Sequence, residues 1–122
     1  MLVFCMSAVA SAADYKSLLR GKYLLMEGAG CAGLQIAPNG KDAVMYGEFG
    51  CTTEGGVGSD MRLRWIGSQA FVITETERFD ETSPPRSYIY VVERVQGKKV
   101  LLRAIWTGWN DSPDSIRTYT IK

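Results

Sequence analysis

Histidine is absent from this sequence, and cysteine is scarce, with three residues in 122. Without histidine the chain cannot build a Ser-His-Asp or Cys-His nucleophile system, and it lacks a principal ligand of zinc. The glycine-rich stretch at 55–58 is not followed by Gly-Lys-Ser/Thr, so it does not match a phosphate-binding loop. We therefore expect no enzymatic activity, no metal site and no cofactor.

Neither sign of charge dominates, because 14 Lys and Arg face 13 Asp and Glu for a net charge of +1. Proteins that bind nucleic acid by electrostatics need a concentrated basic surface. The sequence also lacks an apolar run of the roughly 18 to 20 residues that a membrane-spanning helix requires. We expect neither nucleic-acid binding nor a membrane span.

Residues 1–13 carry no charge and are mostly apolar. They end in two overlapping small-x-small sites, Ala8-Val9-Ala10 and Ala10-Ser11-Ala12. This pattern is typical of the later part of a secretory signal peptide, cleaved here near Ala10 or Ala12. It predicts an exported protein, periplasmic or secreted, with one domain over residues 14–122. A buried N-terminal strand or helix is the alternative.

Removing that segment leaves two cysteines, Cys31 and Cys51. An even pair in an exported chain is typical of a disulfide. The turn signal at residues 38–41 lies midway between them, so a hairpin there would bring the two cysteines close. The sequence therefore predicts one disulfide, Cys31–Cys51.

Residues 61–78 give the clearest strand pattern, two runs of strand-forming residues on either side of Gly67-Ser68-Gln69. A three-residue loop would pair Trp65 with Phe71 and Leu63 with Ile73, which places four large apolar side chains on one face. A two-residue loop would send one strand's side chains to the opposite face.

Arg62 and Arg64 share the other face of this hairpin. We expect Glu75 or Glu77 opposite them, forming a cross-strand ladder of charges.

The remaining patterns extend this hairpin to eight strands with no convincing helix between them. The predicted strands are 22–27, 31–37, 43–51, 61–66, 70–78, 86–95, 100–106 and 116–122. Residues 14–20 form either one helical turn or an extended lead-in, and imperfect alternation in strands two and three suggests a bulge. We predict an all-β fold, an eight-stranded antiparallel meander closed as a small barrel, with a β-sandwich as the alternative.

Connection lengths alternate in this meander. The tight connections are 38–41, 67–69 and 96–99, and the long ones are 52–60, 79–85 and 107–115. Alternate connections of an up-and-down meander emerge at the same end, so all the long loops should share one end. Long loops on a rigid sheet are common binding surfaces.

Acidic residues and one tryptophan gather in these long loops. Trp109 is the candidate anchor, because tryptophan is enriched at binding hot spots; alternatively, it folds back to plug the barrel. Trp65 and Trp106 are expected in the core. The predicted binding rim consists of Glu54, Asp60, Asp80, Glu81, Trp109, Asn110, Asp111 and Asp114. Its negative charge favours a cationic protein as partner.

Residues 28–33 match the dinucleotide-binding pattern G-x-G-x-x-G. That motif needs a following helix, and Pro38-Asn39-Gly40 leaves no room for one. We interpret the glycines as a flexible corner beside the disulfide.

Three hypotheses for function follow. The first is an exported non-enzymatic binding protein of the inhibitor or immunity type; in size and architecture it is similar to the small periplasmic lysozyme inhibitors, without their motifs. The second is a calycin-like carrier of a small apolar ligand inside the barrel. Its candidate lining residues are Trp65, Phe71, Tyr88, Tyr90 and Leu102. The third is a structural envelope domain.

The disulfide gives the first testable prediction. A Cys31–Cys51 bond closes a loop of about twenty residues, so its reduction should lower the free energy of unfolding by roughly 3 kcal/mol. Urea unfolding with and without reductant measures this difference, and peptide mapping without reduction identifies the linked cysteines. Recovery of both as free thiols from oxidised protein would contradict the pairing.

Overall fold

We analysed a computed structural model of the chain, which describes residues 14–48, 58–77 and 80–122. Within these ranges the chain forms one short helix followed by eight strands. The helix α1 is Tyr15–Leu19. The strands are β1 (Tyr23–Met26), β2 (Gly33–Ile36), β3 (Asp42–Tyr46), β4 (Ser59–Trp65), β5 (Ala70–Glu75), β6 (Ser87–Gln96), β7 (Lys99–Ile105) and β8 (Ser115–Ile121). The predicted segment 1–13 lies outside the described residues.

The strands form a closed barrel in which every strand pairs antiparallel with its neighbours in sequence. Pairing of β1 with β8, with Leu24 opposite Ile121 and Met26 opposite Tyr119, closes the sheet. The predicted eight-stranded antiparallel barrel is therefore confirmed over the sandwich. We call the end that carries residues 27–32, 47–48, 58, 76–77, 80–86 and 106–114 the loop end, and the end that carries 37–41, 66–69 and 97–98 the turn end.

The hairpin of β4 and β5 has the register that the sequence predicts. Trp65 lies opposite Phe71 and Leu63 opposite Ile73. The amide of Ile66 donates to the carbonyl of Ala70 at 2.9 Å, which leaves a three-residue loop at 67–69. Leu63, Phe71 and Ile73 are almost completely buried. Burial of one face thus fixes the register, as the period-2 pattern requires.

Inward-facing side chains from all eight strands fill most of the barrel. The core cluster contains Leu24 from β1, Ile36 from β2, Val92 from β6 and Val100 from β7, each at most 1% exposed. Small eight-stranded barrels have an interior just wide enough for side chains, and this one follows that rule over most of its length.

Helix α1 covers the turn end of the barrel. Asp14 caps the helix, because its Oδ1 accepts a hydrogen bond from the Ser17 amide at 3.3 Å. Leu19, in the last turn, is completely buried in the core cluster, whereas neighbouring Leu18 is 41% exposed. Of the two alternatives for residues 14–20, the helical turn is therefore the one that forms.

Of two finer expectations, the charge ladder is wrong, and the bulge suspected in strands two and three does not occur within their described pairs. Arg62 lies opposite Thr74 and Asp42, not opposite a glutamate, so the predicted charge ladder does not form. The described pairs of β2 and β3 keep one continuous register, and the irregularity falls instead between Val92 and Arg94 in β6. The ladder failed because Glu75 lies opposite Met61, one residue away from the register position that a ladder needs.

Leu19 and Leu18 provide a matched test of the helix. Replacing Leu19 with alanine should lower the free energy of unfolding by about 2 to 5 kcal/mol, because a buried leucine is lost and a cavity remains. Leu18→Ala makes the same chemical change at an exposed position and should stay within about 0.5 kcal/mol of wild type. Urea denaturation measures both. Equal losses in the two variants would show that Leu19 does not close the barrel.

Candidate functional site

The loop end carries the side chains that the sequence predicted as a binding rim. Asp60 lies near the start of β4, Asp80 and Glu81 lie between β5 and β6, and residues 109–114 lie between β7 and β8. Alternate connections of an up-and-down barrel share an end, so these residues lie around one end of the molecule. Glu54 lies outside the described residues.

Trp109 projects fully into solvent, with an exposed fraction of 107%. The alternative in which it plugs the barrel is therefore wrong. Its loop is nevertheless ordered by side-chain hydrogen bonds. The Trp106 indole Nε1 donates to the carbonyl of Asn110 at 2.7 Å, and the Ser112 hydroxyl lies 2.9 Å from Asn110 Oδ1. A large apolar side chain is thus held in water on a constrained loop.

Trp106 was expected in the core and lies outside it, 46% exposed. Its indole packs over the backbone of Gly108, where an added Cβ would overlap the ring. The indole also needs a partner for its N–H, which the loop carbonyl supplies. Trp106 therefore shapes the 106–114 loop, and glycine at position 108 is what permits the close approach.

Four of the five described acidic residues of the rim fall into two groups; the fifth, Glu81, is not without a partner. The carboxylates of Asp114 and Asp80 accept hydrogen bonds from residues of their own loops. Asp114 accepts from the Trp106 amide at 2.7 Å and lies 3.8 Å from Arg103. Asp80 accepts from the Thr82 hydroxyl at 2.7 Å and its amide at 2.8 Å, and these bonds, together with those from Ser83, hold the pKa of Asp80 below its usual range.

Asp60 and Asp111 form the second group. Both are exposed, and within the described part of the chain neither carboxylate accepts a hydrogen bond or pairs with a cation. Their charge is therefore available to a partner, whereas that of Asp114 is offset by Arg103. Asn110 is also exposed and uses its carbonyl and side chain within the loop.

Next to Asp60 the surface forms a hollow of about 240 Å³ that Glu75 and Glu77 also line. Glu75 accepts from the Arg86 amide at 2.9 Å and pairs with its guanidinium at 3.4 Å. Across the three described ranges, no three Asp, Glu, Cys or His side chains are grouped so as to hold a metal ion. The hollow thus offers carboxylates without the geometry of a metal centre.

The glycine-rich corner at 28–33 forms an anion-binding nest that the chain itself fills. The carboxylate of Glu48 accepts hydrogen bonds from the amides of Gly30, Cys31 and Ala32 at 3.0, 2.8 and 2.7 Å. These bonds, that from Cys31 being the largest contribution, lower the pKa of Glu48. Sequence reasoning missed Glu48. The available signal was a single carboxylate on the predicted strand 43–51, opposite a glycine-rich loop whose backbone amides need acceptors.

Strand β2, not a helix, follows the nest, as the sequence predicts. The register of β2 and β3 runs Gly33 opposite Tyr46. Continued outward, this register places Cys31 level with Glu48. Cys51 lies outside the described residues, and the Cys31–Cys51 disulfide stays a prediction.

A cavity of about 170 Å³ lies inside the barrel near the loop end. Of the lining residues suggested by the sequence, Tyr90 and Leu102 line it, whereas Trp65, Phe71 and Tyr88 do not. Phe71 instead packs against the faces of Trp65 and Tyr90, with ring centres 5.1 and 5.4 Å apart. The interior is thus filled on the Phe71 side and open on the opposite side.

No protein-family model, characterised protein or solved structure matches this chain. None of the described residues belongs to a helix that is long and apolar enough to cross a membrane.

Glu48 gives a prediction with a defined pH dependence. Its pKa is lower in the folded protein than in the unfolded chain, so its stabilising contribution is fully present above the ordinary carboxyl pKa and is lost as the pH falls through the lowered value. Glu48→Gln should therefore be less stable than wild type near pH 7, and the gap should be smaller at about pH 3, below the ordinary carboxyl pKa, than near pH 7.

Urea midpoints measured over that pH range give this comparison. Glu77→Gln is the matched control, since the carboxylate of Glu77 makes no hydrogen bond or ion pair within the described part of the chain. A gap between Glu48→Gln and wild type that is the same at both pH values would mean that the nest does not depend on the charge.

Proposed function

We propose that this chain is an exported, non-enzymatic binding protein that captures another protein at its loop end, as an inhibitor or immunity protein does. One observation carries the proposal, namely the complete exposure of Trp109 on a loop fixed by hydrogen bonds. Soluble proteins rarely leave a whole indole in water, and tryptophan is enriched at the centres of protein interfaces.

Burial of Trp109 offers a large gain in free energy. A tryptophan side chain buries about 150 to 250 Å² in an interface, which at about 25 cal/mol per Å² corresponds to roughly 4 to 6 kcal/mol before the costs of association. The bonds from Trp106 and Asp114 order the loop in advance, so less conformational entropy is lost on binding. The loop therefore has the properties of a preorganised anchor.

Charge at the loop end favours a basic partner. Asp60 and Asp111 are exposed and unpaired among the described residues, and the hollow beside Asp60 adds Glu77. A lysine or arginine of the partner would find carboxylates there without having to displace an internal cation. Complementary charge of this kind raises association rates and discriminates against acidic proteins.

A carrier of long apolar ligands is less well supported. A volume of about 170 Å³ is well below the roughly 300 to 1,000 Å³ of pockets that hold drug-sized ligands. The small size of the cavity thus argues against a fatty-acid carrier.

Affinity capture with paired variants tests the proposal. Wild type, Trp109→Ala and Ile66→Ala would be immobilised in equal amounts and exposed to periplasmic extract and culture medium, with quantitative mass spectrometry of the retained proteins. Ile66 is the matched control, because it is a half-exposed apolar side chain at the turn end. We expect a basic protein that wild type and Ile66→Ala retain and Trp109→Ala does not.

The affinity of the purified pair then measures how much binding free energy is lost in each variant. Loss of a tryptophan hot spot costs about 2 kcal/mol or more, so Trp109→Ala should weaken binding at least about 30-fold. Asp60→Asn with Asp111→Asn should lower the association rate mainly at low salt. Retention of the same proteins by wild type and Trp109→Ala would refute the loop end as the binding surface.

A further inference from the structure

The barrel interior contains a feature that protein binding at the loop end does not use. The cavity lies between one wall formed by β1, β2 and β3 and a facing wall formed by β6, β7 and β8. Its main lining side chains are Met26, Leu34, Met45, Tyr90, Leu102 and Tyr119. Among the residues that the structure describes, none with a charged side chain lines it. The wall is therefore apolar apart from phenolic hydroxyls.

Two of those hydroxyls have no protein partner. The side chain of Tyr119 is mostly buried, because the residue is only 7% exposed. Tyr90 is half-buried, and its ring stacks on the ring of Phe71. Neither hydroxyl makes a hydrogen bond to any residue in the described part of the chain. Nor is either sealed in, since those ranges contain no buried side-chain oxygen that lacks a partner. Both hydroxyls are therefore accessible, and both tyrosines line the cavity.

Both tyrosines remain neutral at physiological pH. Burial raises the pKa of Tyr90 to about 12, and it also raises that of Tyr119. Each hydroxyl can therefore both donate and accept. An accessible tyrosine hydroxyl without a protein partner can hydrogen-bond to a polar group of a guest, so the two tyrosines beside the cavity offer such a group a partner.

We propose that this cavity binds an uncharged, single-ring aromatic molecule that carries one hydrogen-bonding substituent, such as a phenol. Size supports the ring, because a cavity of about 150 Å³ lined by apolar side chains takes up benzene. The thioethers of Met26 and Met45 make favourable contacts with aromatic rings and adapt to irregular shapes. The described lining contains no charged side chain, which disfavours an ionised ligand because its desolvation would not be offset there.

Methionine methyl NMR provides a direct assay on the oxidised protein. With ¹³C-labelled methionine, the methyl groups of Met26 and Met45 report on the cavity, and Met61, buried in the core away from it, serves as an internal reference. The probes are p-cresol, toluene and benzoate, which share one ring and differ in the polar group. We expect saturable shifts of Met26 and Met45 with p-cresol and toluene, little change at Met61, and no saturation with benzoate.

The hydroxyls are tested by a double variant, Tyr90→Phe with Tyr119→Phe, which keeps both rings. In wild type p-cresol should bind about 3 to 10 times more tightly than toluene, the gain expected from one hydrogen bond. In the double variant this preference should fall to about 1 while toluene still binds. An unchanged Met61 signal shows that the variant is folded.

Several outcomes would overturn the proposal. One is the absence of saturable shifts with either neutral probe, which would mean that the cavity holds only water. Equal affinities of p-cresol and toluene in wild type would show that the hydroxyls do not select a polar substituent.

Trp109→Ala should leave p-cresol affinity within about twofold of wild type. This control separates a failure of the cavity from a failure of the loop end.

Discussion

Pairing of the first strand with the last is the constraint on which the rest of the structure depends. The contacts of Leu24 with Ile121 and of Met26 with Tyr119 turn an open meander into a barrel without exposed edges. The antiparallel order fixes which connections share an end, and closure arranges them around that end and creates an interior whose volume the side chains must fill. Both candidate binding regions follow from it, since one is a set of loops at a common end and the other is unfilled interior.

The two ends of the barrel differ because α1 covers only one. Leu19 fills the turn end, and the loop-end interior retains the cavity beside Tyr90 and Tyr119. The tight turns near α1 contribute compact backbone contacts, such as the Gly40 amide to the Ala37 carbonyl at 2.9 Å. The described residues of the turn end thus include the buried Leu19, whereas those of the loop end include the exposed Trp109 and two carboxylates, Asp60 and Asp111, that make no hydrogen bond or ion pair among the described residues.

Much of the fold could be predicted because strands and tight turns are local properties of the sequence. The register of Trp65 with Phe71 follows from burial of one face, which a slip of one residue would reverse. The environments of Trp106 and Glu48 could not be predicted in this way. The position of Trp106 in the apolar alternation of its strand is that of a core residue. Its indole instead packs over Gly108, which has no side chain, and donates a hydrogen bond to the carbonyl of Asn110.

Glu48 and the Arg62 ladder illustrate the same limit. Glu48 contacts amides 16 to 18 residues away, so its role depends on how β2 and β3 are aligned beyond the strands themselves. The ladder depends on a register in which Arg62 meets a glutamate, and the structure places Thr74 there. Charge patterns on a solvated face constrain register weakly, because exposed pairs contribute little free energy compared with burial of an apolar face.

The cavity itself is a cost that this sequence does not avoid. Unfilled volume leaves the apolar lining without the packing contacts that neighbouring side chains would otherwise supply. Small residues such as Ala32, Gly33 and Gly47 leave it open on one wall, and Gly33 also admits the close approach of β2 to the carbonyl of Leu24, which a Cβ would overlap. Larger side chains at Ala32 or Leu102 would fill the space, so the stability of the fold alone does not account for it. A bound ring that fills the volume and pairs the hydroxyls of Tyr90 and Tyr119 would offset that cost.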